Sequence, residues 1–378
     1  MSLFPRRLAL ALLIACATAA RADITIGVSL PLTGPAAGLG LPVKNGLTLW
    51  PPAIAGEKLH LIVLDDGTDT TAGVKNARRF VTEDKVDLII GSVATPVALA
   101  IAEIAAESGT VQLALSPIPL PEGKDAWSFR LAHSSAVMAN AMVAHMRRAG
   151  VRTVGFIGYA DPYGESWLKD LTSATAAAGL RLGDVERFQR ADTSVTAQAL
   201  KLAASNPDAI VVVASGSGAA MPELALLERG YKGRIYQTHA AASRDLVRVG
   251  GRAVEGTYVL SGPAVVPEQL PEHNPSKKEA VKYVAAYEKA FGAGSRNQFA
   301  GHAWDAMLLL QAVLPPALKQ ARPGTPAFRR ALRDAIEQAG RLDVSQGVLD
   351  YTPKDHWGFT AGTPVVLKVV NGDWHLED

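Results

Sequence analysis

The sequence contains one cysteine, Cys16, and it lies within the first 22 residues. The remaining chain therefore offers no disulfide, no thiolate metal site and no cysteine nucleophile. The eight histidines form no pair spaced four residues apart and no H-E-x-x-H motif, which argues against a zinc site. A G-x-S-x-G nucleophile elbow is also missing. We therefore expect no catalytic residues, no metal and no cofactor.

An excess of charge of one sign is lacking as well. The whole chain has 38 Lys and Arg against 36 Asp and Glu, and without Arg6, Arg7 and Arg21 the basic count is 35. A nearly neutral protein lacks the basic surplus that binding to nucleic acid needs. We expect no nucleic-acid partner.

Long hydrophobic runs are missing too. The apolar run 8–14 follows Arg6 and Arg7 and precedes Ala20-Arg21-Ala22, which is the pattern of a secretory signal peptide spanning residues 1–22. The run is too short to cross a bilayer, and no later run is longer. We expect an exported, soluble mature chain. In an alternative interpretation, Leu13 to Cys16 is a bacterial lipoprotein box and Cys16 carries the lipid.

From residue 24 onwards, short apolar runs alternate with segments of helical periodicity, which indicates parallel βαβ units and an α/β fold. The pattern occurs in two series and is followed by additional helices and closing strands. The strands are predicted at 24–30, 59–64, 86–90, 111–115, 153–158, 182–188, 209–214, 235–236, 255–261, 344–349 and 364–371. The helices are predicted at 42–50, 71–83, 97–106, 136–148, 197–204, 221–229, 277–291, 298–318 and 326–339, and a further helix follows Glu165 and ends at about Ala178.

The segment Gly91 to Pro96 follows an apolar strand and reads as a strand, a turn and a helix start. Thr95 is placed to cap the helix, with Pro96 as its first residue. The amides of Val97 and Ala98 would then have no partner, and they would form a site for a carboxylate. In the alternative interpretation Thr95 only caps its helix. Because Leu39, Asp65, Thr95 and Ser116 follow strand ends, we expect them at one sheet edge, where such folds bind ligands.

Several motifs in this order resemble the leucine/isoleucine/valine-binding type of periplasmic receptor, which serves ABC importers. The motifs are Ile24 to Val28, Pro31 to Pro35, Asp65-Asp66, Ile90 to Ser92, Asp161 to Glu165, Glu255-Gly256 and Ala303 to Ala306. The resemblance implies a type I periplasmic binding protein with two Rossmann-like, doubly wound lobes joined by a three-crossing hinge. It implies lobes at 24–132 with 262–340 and at 133–261 with 341–378. It also implies a periplasmic monomer that closes on a small carboxylate ligand and docks on an inner-membrane permease.

The resemblance also assigns roles to single residues. Thr95 matches the hydroxyl residue that holds the ligand carboxylate together with backbone amides, and Ile118 matches a backbone contact. Tyr163 matches a tyrosine of the far lobe that covers the ligand. Ser215 stands where amino-acid receptors have an aromatic residue, and Trp304 where they have a tyrosine.

The departures from the family concern the ligand ammonium. The threonine and the glutamate that hold it are replaced by Leu120 and His239, and Leu39 replaces an aromatic residue. A buried ammonium without an acceptor costs several kcal/mol. The hypothesis is therefore an organic acid without an α-amino group. Thr238-His239 and Ser116-Pro117-Ile118 also resemble a subgroup of these receptors that takes aromatic acids of the benzoate type, so the resemblance implies an aromatic acid. Ser215 and His239 would bind its far end, and Leu39, Leu120, Tyr163 and Trp304 would pack against its body.

Three alternatives stay open at this point. A slip of one residue in the alignment at Leu120 or His239 would return the ligand to a branched-chain amino acid. A secreted enzyme could use His239 with Asp161 or Glu165 as acid and base. A sensor ectodomain shares the same fold, whereas a repressor is disfavoured by the export signal.

Overall fold

The computed structural model of the protein describes residues 23–377. The predicted signal peptide at 1–22, with Cys16, lies outside the described residues. In the part from 23 to 377, helices long and apolar enough to cross a membrane are absent.

The first sheet has six strands in the order β2-β3-β1-β4-β5-β6. Its strands are parallel, except that the short β2 pairs antiparallel with β3. Strand β4 is buried at every residue, as its apolar sequence requires for a strand covered by helices on both faces. The elements of this region are β1 (Ile24–Leu30), α1 (Ala37–Leu47), β2 (Ala53–Ile54), β3 (Glu57–Asp65), α2 (Thr70–Thr82), β4 (Leu88–Gly91), α3 (Thr95–Ser108), β5 (Val111–Ala114) and β6 (Ser128–Arg130).

The second sheet has seven strands in the order β15-β14-β11-β10-β9-β7-β8. Its central strands are parallel, and β14 and β15 extend one edge in antiparallel pairing. The elements are α4 (Ser135–Arg148), β7 (Thr153–Tyr159), α5 (Pro162–Ala178), β8 (Arg181–Phe188), α6 (Thr196–Ser205), β9 (Ala209–Val213), α7 (Ala220–Glu228), β10 (Arg234–Gln237), α8 (Arg244–Gly250), β11 (Tyr258–Ser261), β14 (Val365–Val370) and β15 (Asp373–Glu377).

The chain passes between the two sheets three times. It leaves the first sheet after β6 and returns to it after β11. There, helix α10 (Gln298–Gln320) packs against α1, and helix α11 (Pro326–Glu337) packs against β5. It crosses again before β14, which joins the second sheet. The returning elements are α9 (Lys277–Phe291), α10 (Gln298–Gln320), α11 (Pro326–Glu337), β12 (Leu342–Val344) and β13 (Gly347–Leu349). The predicted fold class with two lobes and three crossings is confirmed, whereas the exact lobe boundaries stay predictions. We call the six-stranded sheet with its helices the first lobe and the seven-stranded sheet with its helices the second lobe.

The first helix begins earlier than predicted, at Ala37 rather than at residue 42. Its glycines favour a loop when only local propensity is considered. However, Leu39, Val43 and Leu47 recur every four residues and are all buried. The burial of this apolar stripe outweighs the local preference, and Pro42 is accommodated inside the helix.

The segment 344–349 was predicted as one strand, and the structure shows a hairpin of β12 and β13 instead. The carboxylate of Asp305 in α10 accepts hydrogen bonds from the amides of Ser345 and Gln346, at 2.8 and 3.1 Å. These bonds fix the turn between β12 and β13 against the first lobe. The chain therefore reverses direction within a segment whose sequence pattern predicts one continuous strand.

Candidate functional site

A small cavity lies between the two lobes, at the ends of strands from both sheets. Its volume is about 20 Å3, enough for one water molecule. Five of the eight predicted ligand-binding residues line it, and three do not. The lining consists of Leu39, Val93, Thr95, Leu115, Ser116, Pro117, Tyr163, Arg190, Ser215, His239, Ala240, Phe299 and His302.

Thr95 lines this cavity from the first turn of α3, but it is not the N-cap. The N-cap is Ala94, and Thr95 is the first helical residue. The Ala98 amide donates to the Ala94 carbonyl at 2.9 Å, so the prediction that this amide is unpaired is wrong. The amides of Thr95 and Val97 stay without an intrahelical acceptor, as first-turn amides do. Thr95 is the residue of this first turn that lines the cavity, and its hydroxyl can donate there.

Ser116 follows β5 and lines the same side of the cavity. Its Oγ is buried and has no hydrogen-bond partner within residues 23–377. A buried polar atom without a partner costs about 1–3 kcal/mol. A ligand that bonds to this hydroxyl would remove that cost.

Arg190 lines the cavity from the loop after β8, and the sequence analysis did not identify it. Its Nε donates to Asp161 Oδ2 at 2.6 Å, and its Nη1 donates to Ser215 Oγ at 3.2 Å. Its guanidinium carbon lies 4.1 Å from the ring centroid of Tyr159. These contacts fix the guanidinium in place at the edge of the cavity. Arg190 comes two residues after the end of a parallel strand, and this position was the signal that could have identified it.

Asp161, the ion-pair partner of Arg190, is not part of the cavity lining. Its other carboxylate oxygen accepts hydrogen bonds from the amides of Tyr163 and Gly164, at 2.9 and 3.1 Å. Asp161 therefore caps α5 and orients Arg190 at the same time.

Tyr163 closes the cavity from the first turn of α5. It is buried, and its hydroxyl lies 2.7 Å from Thr238 Oγ1. Burial raises the pKa of the phenol above its usual range. The phenol is therefore neutral and serves as a fixed aromatic surface with one hydroxyl.

His239 and His302 face the cavity from opposite lobes, and both are buried. Burial lowers the pKa of His239 to about 4. Burial, and to a smaller extent the nearby His239, lowers the pKa of His302 to about 3. Both imidazoles are therefore neutral at pH 7, and the Nδ1 atom of each has no hydrogen-bond partner in the described chain. His302 lies inside a long helix, where no local pattern distinguishes it from core residues.

Ile118, Leu120 and Trp304 were predicted at the site and lie outside the cavity lining. The Ile118 amide donates to the Ser116 carbonyl at 2.9 Å, and its own carbonyl accepts from Arg130 Nε at 3.0 Å. Its backbone is thus already used within the protein. Leu120 lines a separate groove with Trp357. Trp304 packs against Tyr283, with ring centroids 6.2 Å apart.

The described lining of the cavity contains a cationic side chain and no carboxylate. Arg190 is a cation of the lining, and no Asp or Glu is among the lining residues that the structure describes. The other polar groups are hydroxyls and neutral imidazoles, beside the N-terminus of α3. Asp161, just outside the lining, balances the charge of Arg190, so an anion would gain hydrogen bonds from the guanidinium rather than an unpaired positive charge. An ammonium would find no carboxylate in the described lining.

The sequence profile of the periplasmic binding protein family matches residues 23–368. A solved structure of an extracellular ligand-binding receptor from Rhodopseudomonas palustris is 45% identical, covers 94% of this chain and 99% of its own, and superposes with a TM-score of 0.92. A Leu/Ile/Val-binding protein homologue from Brucella melitensis is 23% identical, with 91% of each chain aligned. An ABC-transporter solute-binding protein from R. palustris in complex with benzoate shares the fold, with a TM-score of 0.78, 19% identity and coverage of 94% and 95%. From the matched profile and the fold, the chain belongs to the periplasmic binding protein family of solute receptors.

Proposed function

We propose that this protein captures a small organic acid without an ammonium group between its two lobes and delivers it to an ABC permease in the inner membrane. The observation that carries the proposal is the cavity lining, which combines Arg190 with Thr95 at the N-terminus of α3 and contains no described carboxylate. The ammonium of an α-amino acid needs a carboxylate or several acceptors, because an unpaired buried charge costs several kcal/mol. The described lining offers hydroxyls and neutral imidazoles but no carboxylate.

The shape and polarity of the lining support an aromatic acid. Leu39, Val93, Leu115 and Phe299 offer apolar contacts, while Ser116, His239 and His302 bring buried polar atoms without partners. A flat ring would lie against these apolar side chains only after the two lobes have moved apart, because the cavity has a volume of about 20 Å3. The benzoate complex noted above indicates that this fold can enclose such an acid.

The test is a thermal unfolding screen of the protein with two matched sets of ligands. The acids are benzoate, 4-hydroxybenzoate and cyclohexanecarboxylate, and the amino acids are leucine, isoleucine and valine. A ligand at 100 times its dissociation constant adds about 2.7 kcal/mol to the free energy of unfolding. We expect stabilisation by at least one acid and none by the amino acids. Stabilisation by leucine alone would return the protein to the branched-chain amino-acid receptors.

His239 offers a variant that separates the two ligand classes. His239→Glu adds a carboxylate to the cavity, which repels an acid and gives an ammonium a partner. His239→Gln is the matched control, because it keeps a polar side chain without adding charge. We expect the Glu variant to lose acid binding about tenfold more than the Gln variant. Equal affinity in both would mean that residue 239 does not contact the ligand.

A further inference from the structure

A second concave site lies entirely within the second lobe and has a volume of about 370 Å3. It is found where β10 and β11 begin, whereas His239 of the interlobe cavity follows the end of β10. The two sites have no lining residue in common. We call the second site the basic pocket, after its cationic lining residues Lys232, Arg234, Arg252 and Lys368.

The four cations of the basic pocket come from separate parts of the chain. Lys232 and Arg234 lie at the start of β10, Arg252 precedes β11, and Lys368 lies in β14. Lys232, Arg234 and Arg252 are exposed, and none of the three has an ion-pair partner within residues 23–377. Lys368 Nζ lies 3.8 Å from a carboxylate oxygen of Glu377. A concave surface lined by charge of one sign attracts ions of the opposite sign.

Two carboxyl groups also line the basic pocket, and both are engaged within the protein. Glu255 accepts hydrogen bonds from two amides of the turn between β14 and β15, at 2.7 and 3.3 Å. Glu223 is buried and accepts from Gln237 Nε2 at 2.6 Å and from Thr257 Oγ1 at 2.5 Å. Burial raises the pKa of Glu223 to about 7, so this group carries only part of a negative charge near neutral pH. The lining therefore keeps an excess of positive charge.

The charge of the basic pocket also acts on a residue behind its lining. The ring of Tyr258 lines the pocket and lies 4.8 Å from the ring of His145, between centroids. The pKa of His145 is lowered first by burial and then by the cations Arg148, Arg234 and Lys368, while one carboxylate acts in the opposite direction. Two of the pocket cations thus contribute to a common positive potential in this part of the lobe.

Apolar side chains complete the basic pocket. Leu227 is 49% exposed at its edge. The Tyr231 hydroxyl donates to the Pro207 carbonyl at 2.8 Å, which fixes the ring in the wall. The ring of Tyr258 stacks on that of Tyr236, with centroids 4.9 Å apart. A ligand with an apolar portion next to its charge would cover Leu227 and contact these fixed rings.

We propose that the basic pocket is a second ligand site, which binds a phosphate monoester whose apolar portion packs against Leu227 and Tyr258. A phosphate monoester carries a charge of about −1.5 to −2 at pH 7 and has three acceptor oxygens, so it can pair with more than one of the cations. The guanidinium groups of Arg234 and Arg252 suit the geometry of a phosphate. The inference does not rest on the proposed function, because the two sites share no lining residue.

The test is isothermal titration calorimetry of the protein with phenyl phosphate as the probe, at low ionic strength because salt screens exposed charges. Citrate is the comparison anion, since it carries carboxylates only. The pocket variants are Arg234→Gln and Arg252→Gln. The control Arg181→Gln removes an exposed cation of β8, the strand at the other edge of the sheet from β15. The control Arg190→Gln removes the cation that lines the interlobe cavity.

We expect phenyl phosphate to bind, each pocket variant to weaken its binding about tenfold through a lost charged hydrogen bond, and both controls to bind like the wild type. Because Arg234 and Arg252 are exposed, their variants should keep the wild-type melting temperature. Equal affinity in the wild type and the pocket variants would overturn the inference. Tighter binding of citrate would overturn the phosphate as the ligand group. A loss of binding in Arg190→Gln would place the probe between the lobes and overturn the inference as well.

A phosphate monoester can belong to a soluble metabolite or to a lipid headgroup, and a second measurement distinguishes these sources. Vesicles of phosphatidylcholine with and without phosphatidic acid are sedimented with the protein. Sedimentation that needs phosphatidic acid and is lost in the pocket variants would assign the site to a lipid headgroup. Binding of phenyl phosphate without sedimentation would assign it to a soluble ester. Binding of neither probe would contradict the inference.

Discussion

The two walls of the cavity differ in chemistry. The wall of the first lobe is apolar apart from Thr95, Ser116 and His302, and it carries no charged side chain among the described lining residues. The wall of the second lobe has one apolar side chain, that of Ala240, beside Tyr163, Arg190, Ser215 and His239. The first lobe thus offers apolar side chains and hydroxyls, and the second offers an aromatic ring and the guanidinium. A ligand that uses both the apolar side chains and the guanidinium would contact both walls.

The largest expected effect is that of removing the charge from the second wall. Arg190→Gln should weaken binding of benzoate about 100-fold, because a hydrogen bond between charged groups is worth about 1.5–3 kcal/mol and the site is shielded from water. Affinity is measured by isothermal titration calorimetry. The control is Arg187→Gln, since Arg187 pairs with Glu165 and does not line the cavity. If Arg190→Gln binds like the control, the guanidinium does not face the ligand.

The buried imidazole of His302 on the first wall makes the stability of the protein depend on pH. The pKa of His302 is about 3 in the folded protein, whereas that of an unfolded histidine is about 6.5. The unfolded chain therefore takes up a proton first, so stability is complete above pH 6.5 and is lost as the pH falls towards 3. Between pH 7 and 5 this histidine should cost about 2 kcal/mol of the free energy of unfolding.

Denaturant titrations at several pH values measure this loss. His302→Gln should reduce the difference between pH 7 and pH 5 by about 2 kcal/mol. His60→Gln is the control, because His60 is exposed on β3. The same pH dependence in both variants would show that His302 is not a source of acid sensitivity.

The hydroxyl on the first wall should have a smaller effect than the guanidinium. Thr95→Val keeps the shape of the side chain and removes the donor, so we expect about a tenfold loss of affinity for the acid. Thr95→Ser restores the hydroxyl and should bind within about twofold of the wild type. Unchanged affinity in the valine variant would leave the carboxylate to Arg190 and the amides alone.

The smallest expected effect on affinity distinguishes a leucine that lines the cavity from a leucine that was predicted to line it and does not. Leu39 lines the cavity and Leu120 does not. Leu39→Ala should weaken ligand binding about fivefold through lost apolar contact. Leu120→Ala should change it less than about twofold. A larger effect of Leu120→Ala would indicate that the groove it shares with Trp357 communicates with the ligand.

The first wall was accessible from the sequence because its residues follow strands of the parallel sheet. Thr95 and Ser116 follow β4 and β5 in the chain. The direction of a parallel strand fixes which edge of the sheet the residues after it reach. The exact start of α3 could not be predicted from the sequence. The extended backbone of Ala94 makes this residue the N-cap, so Thr95 becomes the first helical residue.

The second wall was harder to predict because it depends on tertiary contacts. Arg190 looks like an ordinary surface arginine until Asp161 and Ser215, which are distant in sequence, hold it at the cavity. Leu120 and Trp304 were predicted from their positions in the family resemblance. A shift of a few ångströms in a loop, or a rotation of a helix about its axis, moves the side chain at such a position away from the ligand site. Backbone topology is encoded by local periodicity, whereas the direction of a loop side chain is not.

The three passages of the chain between the sheets have a consequence for the energetics of capture. Each lobe is tethered to the other at three places, so folding has already placed the two walls opposite each other. An arriving solute therefore does not have to bring two freely diffusing bodies together, and the loss of translational freedom is confined to the solute itself. Weak contacts on either wall can consequently add up to tight retention, as they do in a chelate.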